Sequence, residues 1–195
     1  MSIKASLGLA LASVLLVAGS ATAAQAEVEY GPDYGKDRAE IEDLMARYLF
    51  AIDYHDWDAY VATFAEDGEI TFASGSFKGR EAIREAVTRF AEGIGRFYHT
   101  EDGQPAKLRH IVLQTVIRVE GDRAWGRSQW LEMANHGPGD EPKIGTYGVY
   151  EDEFAKVDGR WLIARRNVLN EFIPNRSSGP ANPVAQMDAE AEAAR

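Results

Sequence analysis

LRHIVLQTVIRVEGDRAWGRSQWLEMA, residues 108–134, is the stretch that decides the fold, because two long runs rich in β-branched and aromatic residues flank a Gly121-Asp122 turn. A Gly-Asp pair between two such runs is typical of a β-hairpin. Two further runs, Thr146–Val157 and Trp161–Phe172, are joined by Asp158-Gly159, which is a second hairpin signal. The second half of the chain therefore predicts four long strands in an antiparallel meander.

Helical periodicity dominates the first half of the chain. Apolar residues recur at helical spacing from Asp37 to about Asp53, a short helix fits Trp57–Phe64, and a third amphipathic helix fits Arg80 to about Phe97. A strand is predicted at Glu69–Ala73, after a Glu66-Asp67-Gly68 segment that ends the second helix. Helices followed by a meander indicate one α+β domain with an antiparallel sheet, not a parallel nucleotide-binding fold.

The two ends of the chain differ from the middle in composition. Residues 1–26 carry a positive charge, Lys4, near their start, continue through an apolar run and end in small residues, which is the pattern of a secretory signal peptide. We expect cleavage after Ala26 and an exported protein, periplasmic or secreted; the alternative is an uncleaved N-terminal anchor. Residues 27–36 are interpreted as a lead-in, 37–173 as the domain, and 174–195 as a mobile or loosely packed C-terminal tail.

Charge and composition exclude several classes of partner. The 195 residues carry a formal net charge of −10, which disfavours nucleic acid and anionic membrane surfaces. Cysteine is absent, so a thiol nucleophile and thiolate metal ligands are excluded. The histidines outside the long strands show no metal-ligand spacing, and no P-loop or dinucleotide fingerprint occurs. We therefore expect neither a metal nor another cofactor, and no stable insertion into a membrane.

The strand predicted at Leu108–Glu120 has no solvated face. If its even positions line a pocket beneath the helices, its odd positions need another cover, most simply a second subunit. We therefore expect a homo-oligomer, either a dimer or a trimer. The odd positions are Ile111, Leu113, Thr115, Ile117 and Val119.

Asp53 and His110 are the candidate acid–base pair. Asp53 follows Leu49 by one helical turn, which places a carboxylate at the edge of the buried stripe of the first helix. His110 lies on the mixed face of an otherwise apolar strand. A carboxylate bonded to one ring nitrogen fixes the imidazole tautomer and makes the other nitrogen more basic, which suits proton abstraction. Each residue also has a purely structural interpretation, a helix-end hydrogen bond for Asp53 and a core histidine for His110.

Aromatic residues are numerous for a domain of this size. Most are expected in the core, but a pocket that contains several of them would suit a small hydrophobic or ring-containing ligand.

Several short motifs, in this order and spacing, carry a family resemblance. They include YLFAID ending at Asp53, DWD at 56–58, FAEDG at 64–68, Arg109-His110 and GRWLIARR at 159–166. Over nearly all of residues 37–170 the chain resembles the SnoaL-like branch of the NTF2-like superfamily, particularly the group with scytalone dehydratase, hexachlorocyclohexane dehydrochlorinase and bile-acid 7α-dehydratase. The resemblance implies a cone-shaped curved sheet packed on helices around one pocket.

The same resemblance assigns roles to four residues. Asp53 and His110 fall on the places of the family's catalytic dyad, in which the histidine takes a proton and the aspartate stabilises the imidazolium. Tyr48 and Arg166 match a polar residue and a final-strand arginine that help the leaving group or stabilise negative charge. Tyr48 also fits a core role, and Arg165 competes with Arg166 for the inward face. Strand 123–134 lacks the extra histidine of scytalone dehydratase, so that enzyme's full set is not reproduced.

These observations together predict a cofactor-independent lyase, a dehydratase or related eliminating enzyme, acting on a small hydrophobic or aromatic compound. An isomerase or carbon–carbon lyase using the same dyad is an alternative. A non-catalytic binding protein is the alternative from another class, because folds of this kind also serve as ligand-binding modules.

Overall fold

The structure is a computed structural model that describes residues 30–194, so the predicted signal peptide at residues 1–26 lies outside the described residues. The helices are α1 Tyr34–Asp53, α2 Trp57–Ala62, α3 Arg80–Gly95 and α4 Pro183–Ala193. The strands are β1 Phe64–Phe72, β2 Gly75–Lys78, β3 Leu108–Glu120, β4 Arg123–Ala134, β5 Lys143–Val157 and β6 Arg160–Asn170, with a 3₁₀ turn at Pro138–Asp140.

One curved, unclosed sheet of six strands has the order β2-β1-β6-β5-β4-β3. The four-strand antiparallel meander from β3 to β6 is present as predicted. The pairing of β1 with β6 is parallel, so the sheet is mixed where the sequence predicted an antiparallel one. A parallel neighbour needs a long crossover, and the helix and strands between β1 and β6 provide it. The α+β class is confirmed.

The second predicted helix ends two residues too late. The chain leaves α2 at Ala62 and enters β1 at Phe64, because the Thr63 carbonyl accepts a hydrogen bond from the backbone N–H of Ile163 at 2.9 Å. Phe64 is fully buried in the core at that point. Pairing with β6, a strand far later in the chain, overrides the helical spacing of the local sequence.

The helices α1, α2 and α3 pack on the concave face of the sheet and enclose the main core. Ile41 and Tyr48 of α1, Tyr60 of α2 and Ile83 of α3 meet Ile163 of β6 there. These side chains follow the helical period of their elements, so one stripe of each helix is buried.

The C-terminal segment does not form the loose tail predicted for residues 174–195. Asn182 caps α4 by accepting a hydrogen bond from Val184, and Pro183 occupies the first turn. Met187 and Ala191 are fully buried against Trp125, on the opposite side of β4 from the core residue Ala124. The prediction was wrong because the composition of the segment is polar on average while its few apolar residues share one face.

The strand β3 changes its inward face along its length. Its register with β4 shifts between Val112 and Thr115, which is a β-bulge. His110 and Val112 face the helices before the bulge, whereas Ile117 and Val119 do so after it. The alternation used in the sequence analysis therefore holds for only half of the strand. The apolar side chains left exposed on β3 are Ile111, Leu113 and Val116.

None of the helices within residues 30–194 is long and apolar enough to cross a membrane.

Candidate active site

Asp53 and His110 are brought together where the last residue of α1 meets the start of β3. The Oδ1 atom of Asp53 lies 2.6 Å from Nδ1 of His110. The same carboxylate accepts the backbone N–H of His110, at 3.0 Å to Oδ2 and 3.2 Å to Oδ1. Because an ionised carboxylate only accepts hydrogen bonds, the neutral tautomer of the ring that fits this contact has its hydrogen on Nδ1 and its lone pair on Nε2. The side chains are 6% and 14% exposed, so water competes little for the contact.

Arg109 fixes the approach of the two elements. Its guanidinium donates to the Asp53 backbone carbonyl at 3.3 Å and lies over the Tyr54 ring, 4.5 Å from the ring centroid. A helix end leaves its last carbonyls without helical partners, and a basic side chain is a favourable partner for them. The residue before His110 therefore holds the end of α1 against β3.

His110 lines a partly open cavity of about 210 Å³ between the sheet and the helices. Most of its wall is aliphatic or aromatic, from Ile52 on α1 through Phe90 on α3 to Trp130 on β4. A larger open groove of about 1180 Å³ runs along α1 and α2, but neither His110 nor Asp53 lines it. The cavity beside His110 is therefore the candidate active site. The polar side chains of its wall are Tyr48, Tyr60, Tyr98, His110, Glu132, Thr146, Tyr150 and Asn170.

Glu132 is a site residue that the sequence analysis missed. Its Oε2 lies 3.7 Å from Nε2 of His110, and its side chain is 8% exposed. The Tyr98 hydroxyl donates to Oε1 of Glu132. The β4–β5 register shifts between Leu131 and Met133, and bulges of this kind often re-aim a side chain beside an active site. The available signal was a carboxylate between the buried residues Trp130 and Ala134, two positions from each.

The two carboxylates approach opposite ring nitrogens of His110 and do not converge on one point. Within residues 30–194 there is no group of three or more His, Cys, Asp or Glu side chains arranged to hold a metal ion.

Tyr48 lies at the cavity wall among other buried phenols. Its oxygen is 3.1 Å from that of Tyr60, whose hydroxyl donates to it. Burial, followed by the neighbouring Tyr48 phenol, raises the pKa of Tyr60 and of Tyr150 well above the ordinary value. The Tyr60 and Tyr150 phenols therefore stay neutral. Because the Tyr48 oxygen accepts the Tyr60 hydrogen, the Tyr48 hydroxyl hydrogen can be donated to a different acceptor.

Arg166 lies behind the cavity wall. Its guanidinium makes two hydrogen bonds of 2.7 Å to Asp152, and the two residues are 1% and 0% exposed. The same guanidinium stacks on Tyr48 and Tyr150, at 4.1 and 4.3 Å from their ring centroids. Burial is the largest single influence and lowers the pKa of Arg166, but the charge and hydrogen bonds of Asp152, together with the Tyr48 and Tyr150 phenols, outweigh it and the pKa is raised. Arg165 instead points outward to Glu153, so Arg166 is the inward residue of the pair.

A curved, unclosed sheet packed on helices around one cavity is the architecture of the NTF2-like class of protein. The family model for the SnoaL-like domain matches residues 34–167, and the chain belongs to that family. A search of curated proteins finds no significant match.

Solved structures share this fold. A single-residue variant of Rv3472 from Mycobacterium tuberculosis, described as a protein of unknown function, is 28% identical over 84% of this chain and 92% of its own, with a TM-score of 0.62. A putative scytalone dehydratase from Novosphingobium aromaticivorans is 24% identical over 75% and 95%, with a TM-score of 0.57. A hexachlorocyclohexane dehydrochlorinase, LinA type 2, is 20% identical over 77% and 97%, with a TM-score of 0.56. The last two likenesses show the fold alone.

Proposed function

We propose that this protein is a cofactor-independent lyase that eliminates a leaving group from a small hydrophobic or aromatic compound. The observation that carries the proposal is the buried contact of 2.6 Å between Asp53 Oδ1 and His110 Nδ1, which leaves Nε2 as a base at the cavity wall. The family includes dehydratases and other lyases, which is consistent with this chemistry.

The elimination begins at the lone pair of Nε2. His110 takes a proton from a substrate carbon, the electrons of that C–H bond form the new double bond, and the leaving group departs from the adjacent carbon with its bonding pair. The imidazolium that forms is stabilised by Asp53, whose carboxylate is already in place. Electrostatic stabilisation of this kind is strong in a pocket from which water is excluded.

Tyr48 stabilises the negative charge that develops on the substrate. Since Tyr60 donates to the Tyr48 oxygen, the Tyr48 hydrogen is available to the ligand. Arg166 acts as a positioning residue, because it lies behind the Tyr48 and Tyr150 rings and holds both by cation–π contact. The apolar and aromatic remainder of the wall favours a hydrophobic substrate.

Replacing His110 by Ala tests the proposal. The purified protein is assayed without added metal or nucleotide on 4-phenylbutan-2-ones that carry a hydroxyl or a chloride at carbon 4, which yield the same conjugated enone. The wild-type chain accelerates enone formation, and H110A loses about 10²–10⁴-fold of that acceleration while remaining folded. The matched control is His99→Ala, which removes an exposed histidine and leaves the rate unchanged.

A non-catalytic binding protein is the competing function, favoured by the same apolar cavity. In that case the wild-type chain binds the enone without accelerating its formation, and H110A retains the affinity. An isomerase or carbon–carbon lyase would use the same base but would release no leaving group, so product analysis separates these reactions.

A further inference from the structure

One buried carboxylate oxygen at the cavity wall is left without a hydrogen bond. Glu132 lines the cavity with a side chain that is 8% exposed, and its Oε1 accepts from the Tyr98 hydroxyl. Within residues 30–194 no hydrogen bond reaches the other oxygen, Oε2, and Nε2 of His110, at 3.7 Å, is too distant for one. A buried carboxylate oxygen without a donor is costly, so Oε2 is available to a ligand in the cavity.

The group formed by Asp53, His110 and Glu132 carries net negative charge wherever the proton between the last two resides. If His110 is neutral, the two carboxylates together carry two negative charges. If one proton is shared between His110 and Glu132, the three side chains still carry one negative charge. Within the described residues no lysine or arginine lines the cavity. The cavity therefore repels an anionic ligand and attracts a cationic one.

Two nearby arginines do not cancel that charge. Arg166 makes both of its hydrogen bonds to Asp152, so that pair is neutral as a whole. Arg109 lies over the Tyr54 ring and donates to the Asp53 backbone carbonyl. That carbonyl is at the C-terminal end of α1, where the helix dipole adds negative charge of its own. Both guanidinium groups lie outside the cavity wall.

Aromatic rings lie beside the Glu132 carboxylate. Trp130 precedes Glu132 by two positions on β4, and both side chains line the cavity. Trp130 stacks on Tyr150, with the ring centroids 5.6 Å apart and the ring planes at 15°. Burial, followed by the hydrogen bond and the charge of Glu132, raises the pKa of Tyr98, so that phenol stays neutral. The faces of such rings attract ammonium groups, which gives a cation a second favourable contact.

We propose that the substrate of this cavity is a small hydrophobic amine in its protonated form, whose ammonium group donates to Oε2 of Glu132. The inference deepens the proposed lyase function and rests on it, because it takes the ligand of this cavity to be the substrate. An alkyl amine is protonated at neutral pH, as the side chain of lysine is. The hydrophobic part of the molecule lies against the aliphatic and aromatic remainder of the wall, which includes Ile52 and Phe90.

The two carboxylates then have separate tasks. An ammonium group bound at Oε2 lies close to Nε2 of His110, which is 3.7 Å from that oxygen. Its positive charge stabilises the negative charge that develops on a neighbouring carbon when His110 removes a proton. After the transfer the imidazolium is paired with Asp53 and the ammonium with Glu132, so two positive charges meet two negative ones.

Three phenyl compounds of similar size test the charge preference on the wild-type chain. At neutral pH 2-phenylethylamine is a cation, 2-phenylethanol carries a neutral hydroxyl in place of the ammonium, and phenylacetate is an anion. In calorimetric titrations the amine should bind about 10–100-fold more tightly than the alcohol, as expected for a hydrogen bond between charged groups, and phenylacetate should bind more weakly than the alcohol. Equal affinities for the amine and the alcohol, or tighter binding of phenylacetate, would overturn the inference.

Glu132→Gln tests whether this side chain causes the preference. Gln keeps the size of the side chain and an oxygen that accepts from Tyr98 but removes the charge, so the advantage of the amine over the alcohol should disappear. The matched control is Glu153→Gln, which removes the same charge from the outward pair with Arg165 and should retain the advantage. This control separates the site from the general attraction of cations to a chain with a net charge of −10. An advantage that survives in E132Q, or that is lost equally in both variants, contradicts the site.

The lyase function can fail separately from the amine site. The 4-phenylbutan-2-one that carries an amino group at carbon 4 yields a conjugated enone by loss of ammonia, and wild type should accelerate this reaction. A wild-type chain that prefers 2-phenylethylamine to 2-phenylethanol but does not convert the amino ketone overturns the lyase function and leaves the cation site standing.

Discussion

Replacing Asp53 by Asn changes one oxygen to an amide nitrogen at the centre of the site. The Asp53 carboxylate accepts from the His110 backbone N–H at 3.0 and 3.2 Å and from Nδ1 at 2.6 Å. The Asn oxygen can keep the backbone bond, but its NH₂ group then faces Nδ1 and donates to it. Nδ1 must become the acceptor, so the ring hydrogen moves to Nε2 and occupies the lone pair that the reaction needs.

The expected loss in turnover is large compared with the loss in stability. In serine-protease triads the same exchange of aspartate for asparagine costs about 10⁴-fold through the wrong tautomer, which corresponds to about 5 kcal/mol of activation free energy. Folding loses one charge-assisted hydrogen bond and keeps a neutral one, a cost of about 1–2 kcal/mol. D53N should therefore be folded and nearly inactive.

Long-range proton–nitrogen NMR on histidine-labelled protein measures the tautomer directly. Wild type should show His110 with hydrogen on Nδ1, and D53N should show it on Nε2. The control is Asp56→Asn, which changes the exposed N-cap of α2 and should leave the His110 signals unchanged. An unchanged tautomer in D53N, or full activity with the changed tautomer, would refute the reasoning.

Other perturbations test the framework and the assembly. Arg166→Met should lower the free energy of unfolding by about 3–5 kcal/mol, because it leaves the buried Asp152 charge unpaired. Arg165→Met, which removes the more exposed pair with Glu153, should lower it by less than about 1 kcal/mol. Equal losses for the two variants in denaturant titrations would contradict the assignment of Arg166 as the inward residue. Burial raises the pKa of Asp37, but hydrogen bonds from Lys156 and Trp161 outweigh it and lower the pKa, so Asp37 stabilises the fold at neutral pH and this stabilisation is lost as acid protonates the carboxylate. The melting temperatures of wild type and D37N should therefore converge below about pH 4. A difference that stays constant with pH would argue against the ion pair of Asp37 with Lys156. If chains associate through the exposed apolar part of β3, as we propose, Leu113→Asp should convert an oligomer to a monomer in sedimentation velocity; a monomeric wild type contradicts that association.

Local patterns account for most of the elements but not for their partners. The bounds of β3 and β4 agree with the sequence prediction, because the Gly121-Asp122 turn and the runs beside it are local signals. The start of β1 was predicted at Glu69 but lies at Phe64, because Phe64 pairs with Ile163 of β6, a strand distant in sequence. The helix α4 was missed because a short apolar stripe such as Met187 and Ala191 gains stability only against Trp125.

The sequence by itself determined the α+β class, the antiparallel meander and the candidate residues Asp53 and His110, because hydrophobic periodicity, turn residues and the order of motifs are local properties of the sequence. Only the tertiary structure decided that His110 lies between two carboxylates, that Glu132 belongs to the site, and that Arg166 stands behind the tyrosines. The physical reason is that the direction of a strand side chain depends on bulges and on register with neighbours. A shift of one residue turns a side chain from one face to the other, and only the paired strands fix that shift.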